Sequence, residues 1–289
     1  MSDVMRIALA TAREVAGLDA EGQLLAAALR ERGADVTAAV WDDPGVEWAR
    51  FDLVVVRSTW DYATRVTEFL AWAEQVASRS RIENPLPLLR WTTDKHYLLD
   101  LERSGVPVVP SAFLEPGHDP AHALLGVEHV AKPAVSAGSK DTLRLGPEEQ
   151  ARSRAHVRSL LGQGRSVLLQ PYLADVDEAG ETAMVFLDGR FSHAVRKGAL
   201  LQPGADLVAG MFAEEDIRPR DASPVEHSVA DRAMRALPVT EPPLYARVDL
   251  LPTAEGPVVL ELELAEPSLF LDHVPGSVER MAAAVLARA

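Results

Sequence analysis

The sequence predicts a protein that begins with an α/β domain built on a parallel sheet and continues as an α+β region. Apolar strand-like runs and helical patterns alternate through the first ninety residues, which is typical of parallel strands joined by helices. After the proline-containing segment 84–87, strand patterns follow one another with few helices between them. Apolar residues make up 47% of the chain and charged residues 25%, a balance typical of a folded globular protein.

Hydrophobic periodicity locates the elements of the first domain. Gly33 ends the first helical pattern, as expected of a glycine that follows a helix. No G-x-G-x-x-G motif follows the first strand, so the fingerprint of a dinucleotide-binding domain is missing. The predicted strands are 6–11, 36–41 and 53–56, and the predicted helices are 20–32 and 66–77.

The rest of the chain predicts two further units, so we divide the protein into residues 1–90, 91–170 and 171–289. A hairpin is expected near the end, where two strand patterns flank a turn that contains glycine. The segment 201–224 predicts a long loop, and such loops are usually functional or disordered. The predicted strands are 106–109, 127–132, 166–172, 181–187, 191–197, 245–250 and 257–264, and the predicted helices are 92–104, 147–161 and 277–288.

Composition excludes several classes of function. The 29 basic and 43 acidic residues give a net charge of -14, which repels phosphate backbones and makes nucleic acid a poor partner. The chain has no cysteine, so disulfides, thiolate nucleophiles and cysteine-ligated zinc are ruled out. The start does not resemble a signal peptide, and no apolar run approaches eighteen residues. We therefore expect a cytoplasmic protein without a membrane partner, and the sequence is compatible with a homo-oligomer.

Two strands near the end of the chain carry charged residues at alternating positions. Arg247 and Asp249 share one face of the first strand, and Glu261 and Glu263 share one face of the second. If the strands form a hairpin, three carboxylates and one guanidinium group converge on one surface. Crowded carboxylates repel one another unless a cation joins them, and oxygen ligands of this kind suit Mg²⁺. The pattern indicates either a magnesium site or an exposed strand face with alternating charges.

Two lysines lie in settings that favour phosphate binding. Lys132 ends an apolar strand, where an unpaired ammonium group is costly to bury, and a loop of small residues follows at 134–139. Small residues let backbone N–H groups approach phosphate oxygens, and a neighbouring lysine supplies positive charge. Lys95 lies at the start of a predicted helix that leads into a strand. Each feature alone is also compatible with a lysine that extends to solvent beside an ordinary turn.

The strand at 166–172 has an end that suits a nucleotide base. It closes with Gln170, Tyr172 and Leu173, and an acidic turn with Asp177 and Glu178 follows. Backbone groups after an apolar strand are suited to the edge of adenine, and an acidic side chain is suited to the ribose hydroxyls. The alternative is a plain strand and turn with no ligand.

Several short motifs together resemble a known superfamily. The strings NP, DK, GVPVVP, KP, GE, RVD and EPSLF occur in this order over roughly residues 84–289. In content and order they resemble the ATP-grasp ligases. The resemblance implies an ATP-grasp fold, in which an N-terminal parallel-sheet domain and two α+β subdomains enclose the nucleotide. It also implies that the protein uses ATP and Mg²⁺.

The resemblance implies a role for each motif residue. Arg247 and Lys132 would act on the reacting phosphates, with Arg247 stabilising charge on the transferred γ-phosphoryl group. The family usually has asparagine where this chain has Glu263, so the metal site here carries an extra negative charge. The residues with implied roles are Lys95, Lys132, Ser136, Gly138 and Ser139 for the phosphates, Gln170, Tyr172 and Leu173 for adenine, Asp177 or Glu178 for ribose, and Asp249, Glu261 and Glu263 for two Mg²⁺ ions.

Within the superfamily, the strings RSTWDY, LPLLRWTTDK and LELAEPSLF resemble the branch that contains the O-ureido-serine cyclo-ligase of cycloserine biosynthesis. That branch implies an amino-acid substrate whose carboxylate becomes an acyl phosphate and is then attacked by its own aminooxy nitrogen, which closes a ring. One alternative is an intermolecular carboxylate–amine ligase that makes a peptide-like product. A second alternative is a non-catalytic nucleotide-binding regulator.

The loop after the strand at 53–56 is the main candidate for binding the amino-acid substrate. Open α/β sheets bind ligands at the carboxyl ends of their strands, and this loop offers a guanidinium group, hydroxyls and a carboxylate. Because several of its residues are also good helix caps, the alternative is that the loop is the start of a helix. The candidate substrate residues are Arg57, Ser58, Thr59, Asp61 and Tyr62 in the loop, with Lys197 and Ser268 elsewhere.

Overall fold

We describe a computed structural model of the chain, which covers residues 4–123, 126–201, 204 and 216–288. Three four- or five-stranded sheets succeed one another along the sequence. Within the described residues, no helix combines the length and the apolar character needed to cross a membrane. The division of the chain at residues 90 and 170 stays a prediction.

The first sheet is parallel throughout, as the alternation of strand and helix patterns predicts. Its order is β2-β1-β3-β4, and apolar residues from β1 and β3 pack against the two helices. The strand β4 is absent from our expectations because only three residues form it. The elements are β1 (Arg6–Thr11), α1 (Ala20–Glu31), β2 (Asp35–Val40), β3 (Leu53–Ser58), α2 (Val66–Ala77) and β4 (Arg81–Glu83).

Two short helices lead into the second sheet. The helix expected at 92–104 begins only at Tyr97, and the helix before it, at 86–92, is absent from our expectations. The chain turns between them at residues 93–96, and the Lys95 N–H donates to the Ala134 carbonyl at 2.9 Å. The predicted strand 106–109 is also wrong, because it makes a single bridge, from Val108 to Val259. Pro107 and Pro110 bracket this segment and supply no N–H group for a longer ladder. The helices are α3 (Leu86–Thr92) and α4 (Tyr97–Arg103).

The second sheet is antiparallel, with the order β5-β8-β6-β7. One face packs its apolar residues against α5, and Leu160 and Leu161 contribute from the helix. Because side chains alternate along β6, Ala131 belongs to this core while Val130 and Lys132 point to the opposite face. The elements are β5 (Ala112–Leu114), β6 (His129–Pro133), β7 (Leu143–Leu145), α5 (Gln150–Gly162) and β8 (Val167–Pro171).

The third sheet is antiparallel, with the order β11-β10-β9-β12-β13. The predicted hairpin of two charged strands is confirmed as β12 and β13. The loop predicted at 201–224 is partly wrong, because its last part forms β11 and the start of α7, while residues 202–203 and 205–215 lie outside the described part. The elements are α6 (Val176–Ala179), β9 (Glu181–Leu187), β10 (Arg190–Lys197), β11 (Ile217–Arg220), α7 (Pro224–Arg235), β12 (Tyr245–Leu251), β13 (Val258–Glu263) and α8 (Ser277–Ala287).

The third sheet is covered on both faces, which fixes its position in the molecule. One face packs against α4 and α7. Part of the other face, including Val185, packs with residues of β1 and α1 and with α8. Asn84 of the NP motif strengthens this junction, because its amide donates to the Tyr245 and Leu264 carbonyls at 2.8 and 2.7 Å and accepts from the Leu244 N–H at 2.8 Å. The first and third sheets are therefore held together by apolar packing and by a buried amide whose hydrogen-bonding groups all have partners.

Candidate active site

A cavity of 360 Å³ lies between the second and third sheets, and the segment after β3 closes part of it. Its size falls within the range of small-molecule binding sites. The lining includes four basic and five acidic side chains. The basic residues are Lys95, Lys132, Lys197 and Arg247, and the acidic residues are Glu181, Asp249, Glu261, Glu263 and Glu266.

Strand register brings most of these charges onto one face of the third sheet. Arg247 lies opposite Glu263, and Asp249 lies opposite Glu261. Directly opposed residues of antiparallel strands point to the same side, so the alternating charges seen in the sequence converge as predicted. The same rule places Lys197 beside Glu181 at the far end of this face. The solvent-exposed alternative is wrong for Arg247 and Asp249, which are 6% and 2% exposed.

Glycine at position 180 allows β9 and β10 to approach at this end. The residue has φ of +73°, and a Cβ atom added there would lie 2.4 Å from the Lys197 carbonyl oxygen. No side chain fits at that distance. The close approach of the two strands therefore requires the glycine of the GE motif, and this approach places Glu181 next to Lys197.

Arg247 is the centre of a buried network. Its Nε and Nη2 atoms lie 2.8 and 2.9 Å from the two carboxylate oxygens of Asp249. Nη2 also lies 2.5 Å from Glu263 Oε1, and Nη1 donates to the Ser268 carbonyl at 3.0 Å. This bidentate arrangement fixes the guanidinium plane, which leaves the group oriented toward the cavity it lines.

Each of the three lysines is anchored at a different part of the cavity. Lys132 Nζ lies 2.5 Å from Glu261 Oε1, which links the second sheet to the third. Lys95 Nζ donates to the carbonyl and hydroxyl of Ser136 at 3.1 and 3.0 Å. Lys197 Nζ bridges two carboxylates of the third sheet, at 2.9 and 3.2 Å. The alternative of lysines extending into solvent is wrong, because Lys95 and Lys132 are buried.

The small-residue loop predicted to cover phosphates lies at the cavity wall. Ser136, Gly138 and Ser139 all line it, and the last two have positive φ values of 60° and 58°. The chain makes a tight turn there, in which the Lys140 N–H donates to the Ala137 carbonyl at 3.2 Å, and backbone turns can form concavities that bind anions. The loop contacts Lys95 through the carbonyl and the hydroxyl of Ser136.

The carboxyl groups of the cavity differ in their affinity for protons. Burial acts to raise the pKa of Glu261, but Lys132 and Lys95 outweigh it and hold that pKa well below its usual value. Burial likewise opposes the effect of Arg247 and Lys197 on Asp249, and the pKa of Asp249 is lowered. Burial prevails at Glu263, whose pKa rises to about 7. Burial and the charge of Glu263 raise the pKa of Glu266 to about 8.

The end of the cavity predicted to hold the base is lined by Gln170, Tyr172 and Leu173. Asp177 does not line it, because its carboxylate pairs with Arg144 at 3.0 Å and accepts from the Tyr172 hydroxyl at 2.5 Å. The guanidinium carbon of Arg144 also lies 3.5 Å from the Tyr172 ring centre. Glu178, the other ribose candidate, is absent from the lining as well. The structure thus brings the predicted adenine residues together and leaves the two ribose candidates outside.

Four of the residues predicted to contact the amino-acid substrate do not line the cavity, namely Arg57, Ser58, Thr59 and Asp61. Asp61 accepts from the Trp41 indole at 2.8 Å and pairs with Arg65 at 3.3 Å. The sequence shows a polar loop at a strand end, but tertiary contacts turn these polar groups away from the cavity.

Arg57 and Ser58 are engaged with α1 and the turn before it. Arg57 is buried and pairs with Glu21, and the Ser58 hydroxyl donates to Asp19. Thr59 is fully buried, with no hydrogen-bond partner for its hydroxyl among the described residues. Tyr62, Lys197 and Ser268 do line the cavity, so only part of the predicted substrate set faces it.

Several cavity residues are missing from our sequence-based candidates. The EPSLF motif contains Glu266, and the RSTWDY motif contains Trp60, so both lie in strings that carry the resemblance. Tyr97 offers no such signal, and its hydroxyl accepts the Leu262 N–H at 2.8 Å beneath the charged face. Thr92, Thr142 and Glu181 complete the polar part of the lining that we did not assign.

Comparisons with known proteins agree with this arrangement. A family model described as D-cycloserine synthetase DcsG, N-terminal domain, matches residues 7–84. The cycloserine biosynthesis protein DcsG of Streptomyces lavendulae is 40% identical over 273 residues, which are 89% of this chain and 90% of that protein. The crystal structure of D-cycloserine synthetase DcsG superposes with a TM-score of 0.90 at 38% identity, over 98% of this chain and 99% of that one.

A more distant structure shares the same fold. The RimK domain ATP-grasp protein from Sphaerobacter thermophilus DSM 20745 matches with a TM-score of 0.71 at 19% identity, over 96% of this chain and 98% of that one. The protein is an enzyme with the ATP-grasp fold, an ATP-dependent ligase that forms C–N bonds. Both the class and the fold expected from the motif order are confirmed. More narrowly, the chain belongs to the DcsG family of D-cycloserine synthetases.

Proposed function

We propose that the enzyme uses ATP to convert the carboxylate of O-ureido-serine into an acyl phosphate, which the aminooxy nitrogen of the same molecule then attacks. The new C–N bond forms as the bond to phosphate breaks, the nitrogen gives up its proton, and phosphate leaves. One water then removes the carbamoyl group as carbon dioxide and ammonia, which yields cycloserine. The observation that carries this proposal is the convergence of four basic side chains and a carboxylate-rich face on one cavity.

The proposal assigns the polyphosphate of ATP to the lysine side of the cavity. Lys95 and Lys132 reach the same wall from different elements, and the loop containing Ser136 and Ser139 adjoins them. The adenine would then lie beside Gln170, Tyr172 and Leu173. Lys132 now holds Glu261, so ATP binding would give the ammonium group a phosphate partner and leave the carboxylate free for a metal ion.

Arg247 would stabilise the charge that develops on the transferred phosphoryl group. Its guanidinium plane is held by Asp249 and by the Ser268 carbonyl, so little reorganisation would be needed during the reaction. The ring closure itself would gain from having the nucleophile and the acyl group in one molecule, because tethering gives a high effective concentration. The enzyme's task is therefore mainly to position the substrate and neutralise charge.

The donor set of the cavity fits Mg²⁺. Within the described ranges, no three His, Cys, Asp or Glu side chains are arranged to hold a metal ion by themselves. Mg²⁺ usually takes one or two carboxylates and completes its shell with phosphate oxygens and water, so a preformed three-residue cage is not required. Asp249, Glu261 and Glu263 would supply the carboxylates for two Mg²⁺ ions, and the bound ions would neutralise charge on the phosphates. Glu261→Gln should raise the Mg²⁺ concentration needed for half-maximal activity, and an unchanged requirement would contradict this role.

An isotope experiment tests the acyl phosphate directly. O-ureido-serine labelled with ¹⁸O in its carboxylate is incubated with the enzyme, ATP and Mg²⁺, and the released phosphate is analysed by mass spectrometry. The proposal predicts one ¹⁸O atom in each phosphate and cycloserine as the organic product. Unlabelled phosphate would refute the acyl phosphate. Phosphate release only in the presence of an added amine would instead support intermolecular ligation.

A further inference from the structure

Glu266 differs from the other carboxylates that line the cavity in having no lysine or arginine nitrogen within ion-pair distance among the described residues. Glu181, Asp249, Glu261 and Glu263 each lie within 4 Å of a lysine or arginine nitrogen. In the described part of the chain, Glu266 has no ion pair of this kind, although its residue is only 7% exposed. A buried carboxyl group without a counter-ion is costly unless it is protonated or receives a cation.

The position of Glu266 is fixed by the segment that follows β3. The Trp60 indole N–H donates to the Glu266 carbonyl at 3.1 Å, and the Tyr62 hydroxyl acts on the Glu266 carboxyl group, whose pKa it lowers. Tyr62 is 4% exposed and packs against Phe69 with ring centres 4.9 Å apart, so it is a rigid support. The carboxyl group is therefore oriented by the fold and still lines the cavity.

We infer that Glu266, supported by Tyr62, binds the α-ammonium group of the substrate, an inference that rests on the amino-acid substrate of the proposed function. The α-ammonium is the only basic nitrogen of O-ureido-serine, since the ureido nitrogens share their lone pairs with the carbonyl group and stay uncharged at neutral pH. In an α-amino acid it lies one carbon away from the carboxylate carbon. An ammonium group at Glu266 therefore places the reacting carboxylate in the same part of the cavity as Lys95 and Arg247, both of which act electrostatically on Glu266.

The raised pKa of Glu266 is compatible with this use. Burial and the nearby Glu263 favour the protonated form of the empty site. An arriving ammonium group favours the charged carboxylate, because an opposite charge within a few ångströms stabilises ionisation. The site thus discriminates against neutral molecules of the same shape.

The test compares two ligands in two proteins. Calorimetry with ADP and Mg²⁺ present measures the affinity of O-ureido-serine and of 3-(ureidooxy)propanoate, which lacks only the amino group. We expect the wild-type enzyme to prefer the amine by roughly 30-fold or more, and Glu266→Gln to reduce that preference below about 3-fold. The matched control is Glu226→Gln, an equally buried glutamate on α7 outside the cavity, which should keep the wild-type preference.

Other outcomes have defined meanings. The inference is overturned if the wild-type enzyme binds both ligands equally or if Glu266→Gln retains the full preference. Should Glu266→Gln fail to fold, Glu266→Met removes the charge with an apolar side chain of similar length and should likewise reduce the preference below about 3-fold, while full retention again overturns the inference. A preserved preference for the amine without ¹⁸O transfer to phosphate would refute the proposed reaction and leave the role of Glu266 standing.

Discussion

The buried ion pair between Glu21 and Arg57 offers a prediction that separates a structural role from substrate binding. Arg57 Nη2 lies 3.3 Å from Glu21 Oε2, and Nη1 donates to the Pro267 carbonyl at 3.3 Å. The Glu21 carboxylate also accepts the N–H groups of Leu269 and Phe270, at 2.9 and 2.7 Å. The pair thus connects α1 and β3 to the segment that contains Ser268, whose carbonyl holds Arg247.

Removing one partner should destabilise the whole protein. Arg57→Met leaves a buried carboxylate without its cation, which costs about 3–5 kcal/mol of the free energy of unfolding. With an unfolding entropy of about 2.1 cal/mol/K per residue, a chain of 289 residues should then lose roughly 5–8 °C of melting temperature. The additional effect of Glu21→Leu in the Arg57→Met background should be much smaller than its effect alone, because the two side chains interact.

Urea denaturation and calorimetry of the single and double variants measure this effect. The control is Arg6→Met, which breaks the exposed pair with Asp52 and should cost no more than about 1 kcal/mol. The reasoning is refuted if Arg57→Met keeps wild-type stability while the KM for the amino-acid substrate rises strongly. That result would restore the direct substrate contact predicted from the sequence.

Three further predictions concern the nucleotide. Lys132→Met should lower kcat/KM for ATP by at least about 100-fold with the fold retained. The control is Lys140→Met, whose side chain lies outside the cavity and whose kcat/KM should stay within about twofold of the wild-type value. Equal losses in the two variants would exclude a phosphate role for Lys132. Mg–ATP binding should release protons below about pH 7, because the Glu263 carboxyl group, with a pKa of about 7, must ionise to bind the metal. Calorimetry in buffers of different ionisation enthalpy measures this release, which should be smaller for Glu263→Gln. Arg144→Met should raise the KM for ATP about tenfold with little change in kcat, since Arg144 supports Tyr172; an unaltered KM would argue against a base site there.

The sequence predicts the parts of the fold that depend on local pattern. Helix α2 and strands β1 and β9 have the expected bounds, because the local pattern of apolar residues marks each of them clearly. The helix expected at 92–104 begins only at Tyr97, because residues 93–96 form a turn in which Lys95 makes a tertiary contact with Ala134 that no local pattern reveals. Short strands such as β4 pair through their neighbours and carry no pattern of their own.

The sequence likewise predicts one part of the site correctly and another part wrongly. Alternation along β12 and β13 predicts that Arg247, Asp249, Glu261 and Glu263 converge, because strand geometry alone fixes their faces. The direction of a loop side chain depends on partners distant in sequence. Arg57 therefore looks like a ligand in the sequence and is engaged by Glu21, 36 residues away, in the structure.

The most direct measurement is a crystal structure of the enzyme with Mg²⁺ and a non-hydrolysable ATP analogue. Our account predicts phosphates between Lys95 and Lys132 on one side and Asp249, Glu261 and Glu263 on the other, with the base beside the end of β8. A nucleotide bound outside this cavity, or phosphates without contact to either lysine, would contradict it.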